Sequence, residues 1–201
     1  MIKQTRTLLL ASIAVIAVSV IGYTAADSGN SETATTMDGG RLLGHITLVS
    51  YDPTGHIKQY VQTDNTVVNQ GEACALRAVT GSASTPTDCG GSSVGTYNVI
   101  ALGTGTTAVA PTQIALVTET VVSGLGRAAA TGNTVANDGD TLGATATLSK
   151  TFVAAGSAAI AEAGIFNSTG TTSDAMLARQ QFTAINLASA DSLAITWTIK
   201  F

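Results

Sequence analysis

Leu193-Ala194-Ile195-Thr196-Trp197-Thr198-Ile199-Lys200-Phe201 closes the chain and decides its fold class. Leu193, Ile195, Trp197, Ile199 and Phe201 fall on one face of an extended segment, and Ala194, Thr196, Thr198 and Lys200 fall on the other. A two-residue period of this kind describes a half-buried antiparallel strand. Working upstream, runs rich in Val, Ile, Thr and Phe, punctuated by Gly, Asn and Asp, predict further strands over 97–102, 121–131, 141–153, 159–166 and 175–185. Near the other end, Ile46, Leu48 and Ser50 alternate with Thr47, Val49 and Tyr51. Asp52-Pro53-Thr54-Gly55 then supplies turn residues before Ile57 to Val61, which predicts a hairpin. Asn69 is expected to cap a helix reaching Thr80, with Glu72 as its capping-box partner and Ala73, Leu76 and Ala78 as apolar positions. Strands without intervening helices predict a mainly β domain over residues 43–201, an antiparallel β-sandwich of jelly-roll or Ig-like type with one short helix.

Composition narrows the function classes. The 201 residues suit one domain, and 45% hydrophobic content with only 11% charge argues for a folded chain, as does a mean hydropathy of +0.32. Nine Lys plus Arg are scattered against thirteen Asp plus Glu, giving a net charge of -4 and no basic patch for nucleic acid. Two His and two Cys without clustering leave zinc, haem and iron–sulfur frameworks short of ligands, so no cofactor is expected. His45 and His56 bracket the first hairpin, and no Ser or Cys nucleophile can be matched to either. The expectation is a structural or binding protein and not an enzyme.

The first 26 residues read as an export segment. Lys3 and Arg6 precede an uncharged stretch over 7–26, with an apolar run from Leu8 to Ile21 and small residues at Thr24, Ala25 and Ala26. Cleavage after Ala26 fits this pattern. The same uncharged stretch is also enough to cross a bilayer as a helix, at about 1.5 Å per residue against ~30 Å of hydrocarbon, so residues 1–26 are a signal peptide or a hydrophobic-helix membrane anchor. In both cases the remainder lies outside the cell. Residues 27–42 are rich in Ser, Thr, Gly and Asp and form a polar tether. In an oxidising compartment Cys74 and Cys89 are expected to pair, the alternative being two unrelated buried thiols. Closing a loop of about fifteen residues stabilises a fold by roughly 3 kcal/mol. Asn167-Ser168-Thr169 is a glycosylation sequon in a predicted turn.

Three further features need a chemical reading. Gly103-Thr104-Gly105-Thr106-Thr107-Ala108 imitates a dinucleotide fingerprint, but Pro111 interrupts where a helix would have to open, so it reads as a strand connection. Asp138 and Asp140, in Asn137-Asp138-Gly139-Asp140, offer carboxylates to calcium, yet six to eight oxygens are required and the same residues make a tight turn. Glu162 stands in an apolar run and needs a partner if buried. Arg179 on a neighbouring strand is the expected one, in an architectural role.

Four ordered blocks carry a resemblance: Ala101-Leu102-Gly103-Thr104-Gly105-Thr106-Thr107 with Pro111; Ile160-Ala161-Glu162-Ala163-Gly164-Ile165-Phe166-Asn167; Met176-Leu177-Ala178-Arg179-Gln180 with Phe182 and Ile185-Asn186-Leu187; and Asp191-Ser192-Leu193-Ala194-Ile195-Thr196-Trp197-Thr198-Ile199. Over residues 97–201 the chain resembles fibre and surface-type virion proteins of tailed bacterial and archaeal viruses. The resemblance implies a β-rich, non-enzymatic subunit. The export segment departs from that pattern, because virion proteins assembled in the cytoplasm do not need one. The leading expectation is therefore an extracellular structural subunit that self-assembles into a pilus, fibre or surface layer. Its partners would be copies of itself, with membrane contact through residues 7–26. Assembly is expected through the strand bearing Leu193, Ile195, Trp197, Ile199 and Phe201, by strand addition or sheet packing. The alternatives are a virion fibre or spike and a glycan- or ion-binding adhesin module. Cleavage predicts a mature chain starting at Asp27, with seven cations against thirteen acids and a net charge of -6. An intact-mass spectrum of the native protein checks this, and retention of residues 1–26 would assign the anchor instead.

Overall fold

The C-terminal alternation is realised at the centre of a sheet. The computed structural model describes residues 42–81, 89, 95–137, 144–171 and 174–200. In chain order the elements are β1 (Leu43–Tyr51), β2 (Ile57–Val67), α1 (Asn69–Thr80), β3 (Val99–Gly103), β4 (Ala128–Ala129), β5 (Gly132–Asn137), β6 (Ala144–Val153), β7 (Ala158–Phe166), β8 (Met176–Leu187) and β9 (Ser192–Lys200). Every strand pair is antiparallel. The strands make one nine-stranded sheet in the order β4-β3-β7-β8-β2-β1-β9-β6-β5. The expected export segment, the expected tether before Leu42 and Phe201 lie outside the described residues, and no described helix is long and apolar enough to cross a membrane.

The two-residue period sets which side chains meet. Leu193, Ile195, Trp197 and Ile199 of β9 are buried, as are Ile46 and Leu48 of β1 beside them. They share a core with Ile100 and Leu102 of β3, Ile165 of β7 and Ile185 of β8, so the sheet curls until its two halves face each other. Burying each large aliphatic or aromatic side chain contributes about 1.5–3 kcal/mol. A second cluster, Val68, Val99, Ala101, Leu116, Phe166 and Met176, lies on the opposite face of β3, β7 and β8. These strands are therefore covered on both faces, which explains why β7 reads as a nearly unbroken apolar run.

The halves are continuous where the sequence reading expected separate sheets. β2 pairs with β1 from Ile57 to Asn65 and with β8 through Thr66 and Val67, so one strand belongs to both halves. At the other margin only Ala130 and Thr131 separate β4 from β5. The Ala130 N–H donates to the Asn98 carbonyl at 2.8 Å and the Thr131 N–H to the Ser149 carbonyl at 2.9 Å. Successive amides of one stretch thus reach opposite ends of the strand order.

Several local expectations shift. The strand predicted over 121–131 is mostly loop, because Gly124 turns the chain at φ 83° and a Cβ there would meet the Val153 carbonyl oxygen at 1.9 Å. The helix begins at Asn69, but Val68 is its N-cap and no side chain caps it. The backbone supplies the fixing: the Val68 N–H donates to the Leu177 carbonyl and the Asn69 N–H to the Pro111 carbonyl. Its buried face is Gly71 and Cys74, while Leu76 and Ala78 are exposed.

The first hairpin turns as predicted, around the Asp52 carboxylate. Oδ1 accepts from the Thr54 hydroxyl at 2.6 Å, the Thr54 N–H at 2.9 Å and the His56 N–H at 2.9 Å. The Thr54 hydroxyl, followed by the His56 amide, holds the Asp52 pKa down to about 2 from its ordinary 3.8. A carboxylate depressed in the folded state stabilises above its unfolded pKa, and that contribution disappears as pH falls through about 2. An NMR titration of Asp52 should therefore give a midpoint near 2, and Thr54→Val should move it back toward 3.8.

Candidate functional site

Gly103, at the end of β3, opens the loop that imitates a dinucleotide fingerprint, and the anion it cradles is the protein's own. Glu162 on β7 and Arg179 on β8 are both fully buried, with Arg179 Nε donating to Glu162 Oε2 at 2.7 Å. The remaining acceptor capacity of Glu162 goes to loop backbone. Gly105 N–H and Thr118 N–H donate to Oε1 at 3.0 and 2.7 Å, and Val117 N–H donates to Oε2 at 3.0 Å. Arg179 in turn donates from Nη1 to Gln113 Oε1 at 2.9 Å and from Nη2 to the Thr107 carbonyl at 3.0 Å. A Cβ on Gly103 or Gly105 would lie 2.5 or 2.4 Å from Glu162 Oε1, so the two glycines allow this approach. The pairing expected from sequence is present. It anchors the loop over 104–118, whose Gly105, Val117 and Thr118 amides are turned toward Glu162.

Neighbouring loops are fastened similarly. Arg127 stacks its guanidinium 3.9 Å from the centroid of Phe166 and donates to Glu119 Oε1 at 2.7 Å, Asp174 Oδ2 at 2.5 Å and the Gly170 carbonyl at 2.9 Å. Burial opposes its charge, but Glu119 and Asp174 outweigh burial and hold its pKa above the ordinary value. The structure sets Cys74 of α1 and Cys89 as a disulfide with Cα atoms 5.2 Å apart. Asn167, of the sequon, is half-buried: Nδ2 donates to the Cys89 carbonyl at 2.9 Å and Oδ1 accepts from the Ala175 N–H at 2.8 Å. Its amide joins two loops, so a glycan on Nδ2 would have to share that nitrogen with the bond to Cys89.

The assembly strand expected from sequence is misplaced. β9 lies between β1 and β6 with both backbone edges paired, and Leu193, Ile195, Trp197 and Ile199 are core residues. The feature that made it conspicuous, large apolar residues in alternation, is what places it at the centre. Two other places among the described residues carry unpaired edge over six residues or more. β5 pairs with β6 alone, and Asn133 to Ala136 are exposed, Val135 by 72%. The second place is a wedge. Beyond Thr66 and Arg179, β2 and β8 part, leaving Ile57–Asn65 and Gln180–Leu187 without strand partners on their facing edges.

Only side chains span this wedge. Lys58 Nζ donates to the Asn186 carbonyl at 3.5 Å, Gln59 Nε2 to the Ala184 carbonyl at 3.5 Å, and Gln180 Nε2 to Thr63 Oγ1 at 3.3 Å. Lys58 is also paired with Asp191, whose carboxyl is held below its ordinary range by the Ala188 N–H and then by Lys58. Ile57 and Tyr60 are exposed beside the opening.

A cavity of about 550 Å³ lies where β1, β2, β9 and α1 meet, with Gly44, His45, Asn65, Glu72, Pro111 and Lys200 in its lining. His45 Nδ1 donates to Asp64 Oδ1 at 2.9 Å. Both polar ends of the Asn65 side chain are buried without a hydrogen-bond partner, as is His45 Nε2. Asp138 and Asp140 fall outside the described residues, and no group of three or more metal-ligating His, Cys, Asp or Glu occurs among the described ones. No family model, curated protein or solved structure matches the chain. For the buried pair, Glu162→Gln and Arg179→Met should each destabilise the domain by about 3–5 kcal/mol in urea unfolding. The double variant should stay below wild type, since a glutamine amide keeps one acceptor oxygen for Gly105 and Thr118 but turns a donor toward the Val117 N–H.

Proposed function

We propose that the chain is an extracellular structural subunit that assembles with copies of itself into a cell-surface filament or surface layer. The observation that supports this best is β5, a six-residue strand with its outer edge unpaired among the described residues and Val135 72% exposed. Such an edge offers backbone donors and acceptors to another chain. Natural monomers commonly blunt an edge with charge or proline, and Gly132-Asn133-Thr134-Val135-Ala136-Asn137 contains neither. The curled sheet is then a β-sandwich whose two halves are tied at both margins. The export segment, the polar tether and the Cys74–Cys89 pair fit an oxidising location outside the cell.

Two other readings each have a support of their own. A virion fibre or spike subunit is favoured by the resemblance, since Glu162 and Arg179 belong to two of the blocks that carry it. A ligand-binding adhesin module is favoured by the unpartnered Asn65 amide at the cavity. Negative-stain electron microscopy and sedimentation of the purified full chain at high concentration test the leading proposal. Filaments or two-dimensional arrays are expected; a monodisperse monomer, with heat released on adding glycans in calorimetry, would transfer the assignment to the adhesin module.

A further inference from the structure

Edge-to-edge pairing needs a partner whose own edge is open, and the described residues narrow the choice. β1, β6, β7 and β9 are paired on both sides. The outer side of β3 beyond β4 is already taken: the Thr120 N–H donates to the Leu102 carbonyl at 2.9 Å, and just past the strand the Thr104 N–H donates to the Thr118 carbonyl at 2.8 Å. β4 itself is two residues long. The open edges of β2 and β8 face each other, with Lys58, Gln59 and Gln180 reaching across between them. Among the described strands this leaves β5, which turns six residues of edge outward.

We infer that β5 joins β5 of a second copy, antiparallel across a twofold axis at Val135, which deepens the self-assembly reading and rests on it. Hydrogen-bonded and non-hydrogen-bonded positions alternate along an antiparallel pair. Two copies of one strand related by a twofold axis must therefore set one residue opposite itself. Placing Val135 there sets Thr134 opposite Ala136 and Asn133 opposite Asn137. No other twofold register brings the valine of β5, 72% exposed, onto its own counterpart, with Cβ atoms about 4.5–5.5 Å apart. No like charges meet, because Gly132 to Asn137 carries none. Two nine-stranded sheets then become one layer. The contact is isologous and closes on itself, so a filament or surface layer needs a second, different contact to extend it.

The test uses full-length variants with one added cysteine, each mildly oxidised under the conditions used for microscopy. Val135→Cys should form disulfide-linked dimers several-fold faster than Asn133→Cys, because the two 133 positions stand four residues out of step, about 13 Å apart. Val135→Lys and Val135→Glu should each lose the dimer in sedimentation. Mixing the two should restore it, since a residue opposite its own copy then pairs a lysine with a glutamate. Val121→Lys, at a loop valine 97% exposed, should leave the dimer intact, with near-ultraviolet circular dichroism confirming that all variants are folded. Filaments of Val135→Lys equal to wild type, or Asn133→Cys joining as readily as Val135→Cys, would overturn this contact while leaving self-assembly standing. Dimers that never extend would keep the contact and sink the filament. Absence of dimers and of filaments together would remove both proposals.

Discussion

The carboxylate of Glu162 is where one side of the molecule is decided. A charge fully removed from water carries a cost of several kcal/mol that only full hydrogen bonding and an opposite charge offset. Here Arg179 supplies the charge and three backbone amides of a single loop supply most of the bonds. The loop has no regular structure that would satisfy those amides within itself, so loop and ion pair specify each other. Through them the outer face of β3, β7 and β8 gains a cover, and the second core of Val99, Phe166 and Met176 is shut away from solvent.

This arrangement shows how far sequence reasoning reaches. Glu162 was legible as buried because it interrupts an apolar run, and Arg179 was legible as its partner because it falls on a neighbouring predicted strand. The role of Gly105, Val117 and Thr118 was not, since they contribute main-chain amides, which carry no residue signature. β9 was legible as a strand from its strict alternation, yet alternation is silent on neighbours, and a strand with one strongly apolar face suits a central position as well as a marginal one. β5 escaped notice for the opposite reason. Gly132, Asn133, Ala136 and Asn137 have weak strand preference and outnumber Thr134 and Val135, and the segment is extended because β6 offers it a backbone ladder.

The segment from Val121 to Thr131 illustrates competition between composition and geometry. Val121, Val122 and Leu125 look like strand residues, but the chain turns at Gly124 and only Ala128 and Ala129 join the sheet. Leu125 is buried and Val121 is 97% exposed, so hydrophobicity here follows the path of a loop and not a pleat. The helix start shows a related effect. Two tertiary hydrogen bonds at Val68 and Asn69 replace the side-chain cap that local sequence chemistry favoured.

Ala130 and Thr131 give the molecule a clasp. Because one short stretch of backbone is bonded to both extremes of the strand order, neither margin can peel away without dragging on the other. Tension applied along the chain would load these bonds together with those of β4 and β5, and once the clasp opened the curled layer would lose its closure in a single event. A sheet closed this way resists fraying at either margin and opens in one step.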